Sequence, residues 1–288
     1  MPITLQIVSF DPFEPLFEQF MLRARTFYTG MLCASEAFDS ETNGYLHVLR
    51  SGRLSIGFSD GETIELMEPS LILMPMGIPH RFSPFSAGGA ELVCAEIGLW
   101  GAPDNPVARI LPPILVIPVA KAGALTSTLD LLFDEAFSAR SGRQPALDRL
   151  FEYLTIQVLR YAVDQRLIDE GVLAGLADAR IARALTAMHI DPRRHFLLDD
   201  LAEIAGMSRS RFAKAFRKTL GTTPIEYLNG WRIARAQNLL RKGKAIKLIA
   251  EAVGYDSPAA FSRAFSRICG CSPRQWVANT DRCGKADR

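Results

Sequence analysis

An internal repeat in the last third of the sequence limits the folds that this chain can adopt. The stretch "FAKAFRKTLGTTP" (212–224) is matched by "AFSRAFSRICGCSP" (260–273). The matching positions, all offset by 49 residues, are Phe212 and Phe261, Phe216 and Phe265, Gly221 and Gly270, and Pro224 and Pro273. Just upstream, "LAEIAGM" matches "IAEAVGY" at an offset of 48 residues, so the second copy contains one extra residue. A solenoid needs at least three copies, and the sequence therefore predicts one supersecondary unit that is present twice.

Each copy has the layout of a helix-turn-helix. In the first copy, "LLDDLAEIA" predicts a helix, "GM" a turn and "SRSRFAKAFRKTL" a second helix. Gly206 and Gly254 stand where a helix commonly ends in a left-handed conformation, which glycine adopts without steric cost. Ser208 is the expected N-cap of the second helix, and either Asp256 or Ser257 is expected to cap its counterpart.

The second helix of each copy carries a basic, polar face opposite its phenylalanines. These outward residues are Arg209, Ser210, Arg211, Lys214, Arg217 and Lys218 in the first copy, and Ser262, Arg263, Ser266 and Arg267 in the second. Arginine and lysine neutralise phosphates and bind guanine edges, so such a helix suits the major groove of DNA. Two solvated amphipathic helices are the alternative, which two copies at a fixed spacing disfavour.

The segment between the copies predicts a rigid spacer. "PIEYLNGWRIARAQNLLRKGKAI" favours a helix of about 18 residues, hence roughly 27 Å long. Pro224 stands at its start and Gly243 marks its end. Major grooves on one side of B-DNA lie about 34 Å apart, so a spacer of this order could hold two recognition helices in adjacent grooves.

The distribution of charge agrees with a polyanionic partner for the second part of the chain. The net charge is only +2, but residues 1–177 hold 12 basic and 21 acidic residues, whereas residues 178–288 hold 21 basic and 10 acidic ones. Such asymmetry suggests nucleic acid as a partner, with a merely solvated basic surface as the alternative.

Residues from about 45 to 100 predict short strands that form a small sandwich or barrel. "YLHVLRSGRLSIGF" alternates apolar and polar residues and is followed by the tight turn "SDGE". From Leu125 the pattern becomes helical, and two amphipathic helices joined by "SGRQP" form a helical hairpin. Its second helix bears the stripe Leu147, Leu150, Leu154, Val158 and Tyr161. This stripe serves either as a dimer interface or as a face that packs on the strands.

Residues from about 178 to 278 resemble the DNA-binding domain of the AraC/XylS family of bacterial transcription regulators. The resemblance rests on "LAEIAGMSRSRFAKAFRKTLGTTPIEYLNGWRIARAQNLL" and "IKLIAEAVGYDSPAAFSRAFSRICGCSPRQW". It implies base contacts from Ser210, Lys214, Pro258, Ala259, Ser262 and Arg263, and phosphate contacts from Arg211, Arg217 and Arg267. Since Pro258 and Ala259 offer no side-chain hydrogen bonds, the second helix is expected to contact thymine methyl groups or mainly phosphates.

The strand-rich part resembles the cupin-type sensor domains fused to many such regulators. "LILMPMGIPHRF" is similar to the second cupin motif, with His80 in place, and His47 stands in the first motif. The resemblance implies that both histidines point into the barrel, where they either line an effector pocket or are hydrogen-bonded core residues. Leu46, Val48, Leu73 and Met76 are the apolar lining candidates of such a pocket. A metal site formed by His47, His80, Cys33 and Cys94 is the less favoured alternative, because the first motif lacks the second histidine and the glutamate of metal-binding cupins.

Together these features predict an α+β protein. The expected parts are a cupin-like β-barrel sensor (1–120), a helical hairpin and linker that could dimerise (121–177), and an AraC-type DNA-binding domain with two helix-turn-helix units joined by a long helix (178–288). The expected partners are double-stranded promoter DNA, a small-molecule effector and a second copy of the chain, with RNA polymerase as a further candidate. No cofactor is indicated. The linker around "RLIDEGVLAGLADARI" is either passive or the element through which the two parts communicate.

Three functions fit this organisation. A ligand-responsive transcription regulator is favoured over a cupin enzyme with a DNA anchor, because the usual cupin metal ligands are missing. It is also favoured over a structural chromosome-binding protein, because an acidic, apolar sensor-like domain is present. The start "MPITLQIVSF" lacks a signal-peptide pattern, and the five cysteines form no CxxC pair, so the sequence predicts a cytoplasmic protein with reduced thiols.

Overall fold

The computed structural model describes residues 13–19, 22–39, 43–86, 88–98, 111–168 and 171–283. These residues form two compact units. The N-terminal unit contains the described residues between Met21 and Leu173, and the C-terminal unit contains those from Ala174 onward together with the first helix. Within the described residues, none of the helices combines the length and apolarity needed to cross a bilayer.

The N-terminal unit is built on two antiparallel sheets. Its strands are β1 (Arg23–Leu32), β2 (Glu36–Phe38), β3 (Gly44–Ser51), β4 (Leu54–Phe58), β5 (Thr63–Leu66), β6 (Ser70–Met74), β7 (His80–Pro84), β8 (Ala90–Gly98) and β9 (Leu115–Pro118). One sheet has the order β1-β8-β3-β6-β9 and the other has the order β2-β7-β4-β5. The described strands do not join these sheets into a closed barrel, so the α+β class is confirmed with an open cupin-like pair of sheets in place of the expected barrel.

The alternation of side chains along β3 decides which residues lie between the sheets. Tyr45 and Leu49 belong to the core cluster there, and the ring of His47 lies 5.3 Å from that of Tyr45. Leu46 and Val48 lie outside that cluster and are also fully buried. Since successive side chains in a strand point to opposite faces, Leu46 and Val48 face away from His47. On β6 the same alternation applies: Ile72 and Met74 belong to the cluster, and Leu73 between them points to the opposite face of the sheet. The prediction that Leu46, Val48 and Leu73 line a pocket with the two histidines is therefore wrong.

The predicted helical hairpin forms, and it packs inside the N-terminal unit. Helix α2 spans Thr126–Ala136 and α3 spans Arg143–Asp164. On α3, the predicted stripe packs towards β1: Leu147, Leu154 and Val158 are at most 1% exposed.

A bulge in β1 fixes this contact. The backbone N–H of Thr26 donates to Oδ1 of Asp148 at 2.7 Å, and the side chain of Gln144 donates to the carbonyl of Thr26 at 2.8 Å. Leu147, Leu154 and Val158 therefore belong to the core of their own unit, whereas Leu150 and Tyr161 of the same stripe are half-buried. The dimer stays a prediction.

The C-terminal unit is helical. Its helices are α1 (Glu14–Gln19), α4 (Gly171–Ala177), of which the part from Ala174 belongs to this unit, α5 (Ala179–Ile190), α6 (Leu198–Ala205), α7 (Arg209–Leu220), α8 (Pro224–Arg241), α9 (Ile246–Ala252), α10 (Pro258–Cys269) and α11 (Pro273–Cys283). Helices α6–α7 and α9–α10 are the two predicted helix-turn-helix units. Helix α8 is the predicted spacer, and it has the expected 18 residues.

The predicted turns are explained by individual residues. Gly206 and Gly254 adopt φ values of 65° and 83°, which favour glycine. Ser257 is the N-cap of α10, where its hydroxyl accepts a bond of 3.1 Å from the N–H of Ala260. Ser208 occupies the N-cap position of α7, but within the described residues its side chain makes no capping bond. Thr223 and Glu226 form a reciprocal capping box at the start of α8.

Candidate nucleic-acid interface

Helices α7 and α10 each bury one aromatic face completely. Phe212, Phe216, Phe261 and Phe265 are all 0% exposed. The ring centroids lie 5.5 Å apart in the first pair and 5.6 Å apart in the second, within the range of favourable aromatic contacts. The buried face fixes the rotation of each helix about its own axis, and this determines which residues point outward.

The residues that the sequence singles out for DNA lie on the outer faces. The exposed ones are Arg209, Ser210, Arg211, Lys214, Arg217 and Lys218 on α7, and Pro258, Ala259, Arg263 and Arg267 on α10, while Ser262 is half-buried. Ser210, Lys214 and Arg217 follow a spacing of four and three residues, which aligns them along one helix face. The structure thus leaves every predicted DNA-contacting side chain except Ser262 open to a partner.

One of these side chains already has an acidic neighbour. A guanidinium nitrogen of Arg209 lies 3.3 Å from a carboxylate oxygen of Asp199, and the two side chains are 65% and 63% exposed. An ion pair this exposed contributes about 0–1 kcal/mol, so the bond does not prevent Arg209 from moving to a phosphate.

Helix α8 packs against both helix-turn-helix units. Towards its start, Tyr227 meets the ring of Phe216 edge-on, with 5.8 Å between centroids. Towards its end, Ile233, Ala236 and Leu240 join the core cluster of Phe261 and Phe265. At 1.5 Å per residue the helix is about 27 Å long. A single rigid helix therefore carries one recognition helix near each end.

Sequence reasoning missed a basic residue in the core of this unit. Arg232 of α8 is 8% exposed and donates to two backbone carbonyls of the loop that precedes α6. The sequence offered one signal for this burial. Arg232 stands between two apolar residues, Trp231 and Ile233, whereas an arginine of a solvated helix face is usually flanked by polar residues.

The two predicted effector-binding histidines of the N-terminal unit meet between the sheets. Nε2 of His47 lies 3.0 Å from Nε2 of His80, and Nδ1 of His80 lies 2.7 Å from the carbonyl oxygen of Ile78. A carbonyl only accepts, so Nδ1 of His80 carries the proton and Nε2 of a neutral His80 accepts from His47. Burial, and then the neighbouring His80, lower the pKa of His47, and burial also lowers the pKa of His80. Both rings are therefore neutral at physiological pH.

Aromatic rings close around this pair. The rings of Phe38, Tyr45 and Phe82 lie with their centroids 4.7–5.3 Å from those of the histidines. His47 is fully buried, whereas a cavity of about 290 Å³ reaches His80. The residues lining that cavity are Ala37, Asp39, Gly57, Phe58, Ser59, Pro79, His80 and Arg81. Among the cavities lined by described residues, this one is bordered by His80 and not by His47.

The alternative metal set is not assembled. Cys94 is the cross-strand partner of His47, but burial raises the pKa of its thiol, which disfavours the thiolate that binds zinc. Cys33 is exposed and its sulfur lies near the carbonyl of Met31. Across the part of the chain that the structure describes, no group of three or more His, Cys, Asp or Glu side chains is placed to hold a metal ion.

Comparison with known proteins decides the family. A cupin family model matches residues 11–164, and a helix-turn-helix domain model matches residues 201–279. The chain belongs to the AraC-type regulators that carry a cupin domain. The HTH-type transcriptional regulator AlkR of Acinetobacter baylyi is 31% identical over 264 residues, which cover 80% of this chain and 86% of AlkR.

Other relatives of this AraC-type chain match over shorter stretches. An AraC-like transcription regulator of Streptomyces lividans is 39% identical over 167 residues, which cover 57% of this chain and 55% of that protein. The chain thus spans about half the length of this relative. A solved AraC-type DNA-binding protein from Chromobacterium violaceum is 29% identical, covers 35% of this chain and 91% of its own, and has a TM-score of 0.33.

Proposed function

We propose that this AraC-type chain is a transcription regulator that binds double-stranded DNA at a bipartite site and responds to a small organic effector. The observation that carries the DNA-binding part is the pair of exposed basic helices, α7 and α10, held near the two ends of α8. Their buried phenylalanines fix the orientation of the basic faces, and residues 178–288 carry the positive charge that a phosphate backbone attracts. A cupin enzyme with a DNA anchor is disfavoured because the relatives are transcription regulators and the candidate metal set is not assembled.

The roles of single residues follow from their positions. Lys214 and Arg263 lie near the middle of α7 and α10, where a recognition helix is closest to base edges. Arg211, Arg217 and Arg267 contact phosphates on either side. The side chains of Pro258 and Ala259 are apolar and exposed, so the start of α10 contacts thymine methyl groups through them.

Alanine at Lys214 or at Arg263 is expected to weaken specific DNA binding by about 1–3 kcal/mol each. Both side chains are exposed, so neither change removes a core contact. The measurement is a titration of the full chain against a duplex selected from a random-sequence library. Lys121→Ala and Arg53→Ala are charge-matched controls at exposed positions of the N-terminal unit. Wild-type affinity in both variants would show that α7 and α10 do not contact DNA through these residues.

The effector binds, on this proposal, in the cavity beside His80. Asp39 and Arg81 provide one acidic and one basic group at its lining, and Phe58 provides an apolar surface. The cavity volume of about 290 Å³ suits a small organic molecule. Such a molecule alters DNA binding only if it favours one of two arrangements of the protein, and typical couplings change affinity roughly 5–150-fold.

A thermal-shift screen of small organic compounds against the full chain tests this part. A compound that binds beside His80 should raise the melting temperature of the wild-type chain, should lose this effect in Arg81→Ala, and should change the affinity for the selected duplex. A compound that stabilises Arg81→Ala equally well binds elsewhere. Unchanged DNA affinity with a saturating compound would contradict the coupling.

A further inference from the structure

The buried Arg232 of α8 contacts backbone and ring atoms that lie outside its own helix. Nε of Arg232 donates to the carbonyl of Pro192 at 2.7 Å, and Nη2 donates to the carbonyl of Arg194 at 3.1 Å. Its guanidinium also lies 5.7 Å from the centre of the Tyr255 ring, within cation–π range. Burial lowers the pKa of this arginine, while the nearby Tyr255, Asp256 and Asp191 act in the opposite direction. The group nevertheless remains charged, because an arginine is protonated far above physiological pH.

These contacts join the two helix-turn-helix units to each other. Pro192 and Arg194 belong to the loop that leads into α6, the first helix of the first unit. Tyr255 belongs to the turn between α9 and α10 in the second unit. A single side chain on the spacer helix therefore holds the entrance of one unit beside the turn of the other.

The same loop and turn approach each other too closely for any side chain at Gly254. A Cβ placed on Gly254 would lie 2.6 Å from the Cα of Arg193 and 3.0 Å from its carbonyl oxygen. The contact is thus a direct backbone approach that Arg232 holds from the side. Packing on α8 alone would leave each unit free to rock about the axis of that helix, whereas this second contact resists such rocking.

A guanidinium is suited to binding these two carbonyl oxygens, and lysine or methionine could not replace it there. Its planar fork reaches two carbonyl oxygens at once, and the two bonds offset the cost of burying the charge. Lysine would offer a point charge that can serve one carbonyl well but does not reproduce the fork. A methionine would fill similar space and leave both carbonyls without this donor.

We propose that Arg232 is a positioning residue that sets the spacing between the two half-sites which the chain accepts. This inference rests on the proposed reading of a bipartite DNA site. Two linked binding modules gain affinity only when both can engage at once, and the gain is lost when the geometry is wrong. A rigid connection makes this requirement strict, so Arg232 contributes to specificity without touching DNA.

The test uses the full chain and three duplexes. The first is a duplex selected from a random-sequence library, the second has one base pair inserted between the two protected segments, and the third has the segment bound by α10 scrambled. In the wild-type chain the insertion should lower affinity on the order of 10–100-fold. In Arg232→Met this penalty should fall below about 3-fold, while binding to the third duplex stays within about 2-fold of wild type. Arg232→Lys should give an intermediate penalty.

Arg235→Met is the matched control, because it makes the same chemical change on the same helix at a side chain that lines a different cavity. It should keep the wild-type insertion penalty. If the inserted base pair lowered the affinity of Arg232→Met as much as that of the wild-type chain, the proposal would be overturned. An equal loss of affinity for all three duplexes would also overturn it, because the arginine would then only maintain the fold. A wild-type chain that tolerates the insertion would instead contradict the bipartite reading itself.

Discussion

Alanine in place of Phe265 is expected to lower the free energy of unfolding of the C-terminal unit by about 3–5 kcal/mol. The ring is 0% exposed and packs against Phe261 and Trp276, with centroid distances of 5.6 Å and 6.1 Å. Its removal loses the transfer free energy of an aromatic ring and leaves a cavity between α8 and α10. A loss of this size is a large fraction of the 5–15 kcal/mol that stabilises a typical domain. The measurement is urea unfolding of the full chain followed by tryptophan fluorescence.

The neighbouring Ile268 provides the control for this change. Ile268 lies on the same helix but is 45% exposed, so Ile268→Ala should cost less than about 1 kcal/mol. The two variants also separate stability from recognition, because Phe265→Ala should lose the half-site bound by α10 before it loses the one bound by α7. A cost below about 1 kcal/mol for Phe265→Ala would contradict the packing described for the second unit.

Acidification is expected to destabilise the C-terminal unit through His189. The imidazole is 2% exposed, stacks on Trp231 at 3.9 Å between centroids, and lies with Nε2 2.6 Å from the hydroxyl of Tyr227. Burial lowers its pKa to about 3, whereas an unfolded histidine titrates near 6.5. Above pH 6.5 both states are neutral. Below it only the unfolded state binds the proton, so stability falls by about 1.4 kcal/mol per pH unit until the folded pKa is reached.

Between pH 7.5 and pH 5.0 this one group should therefore remove about 2 kcal/mol of stability. Urea unfolding at a series of pH values measures the effect, and the comparison is with His189→Gln, which can still reach Tyr227 but does not titrate. The wild-type chain should lose about 2 kcal/mol more than the variant over this interval. If the free energy of unfolding depended on pH equally in the wild-type chain and in His189→Gln, this would contradict a buried His189 that stays neutral in the folded state.

Local sequence signals were sufficient for the C-terminal unit. The glycines and paired phenylalanines predicted each helix-turn-helix unit because they act within a few residues of chain, and the repeat at an offset of 49 residues predicted that the unit is present twice. The 18-residue spacer was predicted because Pro224 and Gly243 mark its ends. Ser208 shows the limit of such signals, since it occupies the predicted N-cap but its hydroxyl makes no capping bond within the described residues.

Contacts between distant residues were not accessible to the same reasoning. The bond of Asp148 to Thr26 joins residues 122 positions apart, and it decides that the stripe on α3 packs on the sheet. The two hydrogen bonds of the Arg232 guanidinium likewise join residues that are far apart in the sequence, since Pro192 and Arg194 lie 40 and 38 positions before it. For the histidines, the cupin resemblance predicted that His47 and His80 point inward, and the structure brings them together. It could not predict that aromatic rings seal His47, because that depends on three strands at once.

The linker through which the two parts of the chain were hypothesised to communicate is only partly described by the structure. Asp169 and Glu170 of the linker lie outside the described residues, whereas Gly171 and Gly175 belong to α4. Gly175 is packed closely, since a Cβ there would lie 2.8 Å from a methyl carbon of Leu185. This packing places Gly175 in the core of the C-terminal unit, beside α5.

Hydroxyl-radical footprinting of the full chain on its selected duplex measures whether α7 and α10 occupy adjacent major grooves. If α8 holds α7 and α10 in adjacent major grooves, the chain should protect two separate segments on one side of the duplex, with centres about one helical turn, or 10–10.5 base pairs, apart. Lys214→Ala should weaken protection of one segment and Arg263→Ala that of the other. A single protected segment, or uniform protection along the duplex, would contradict the account.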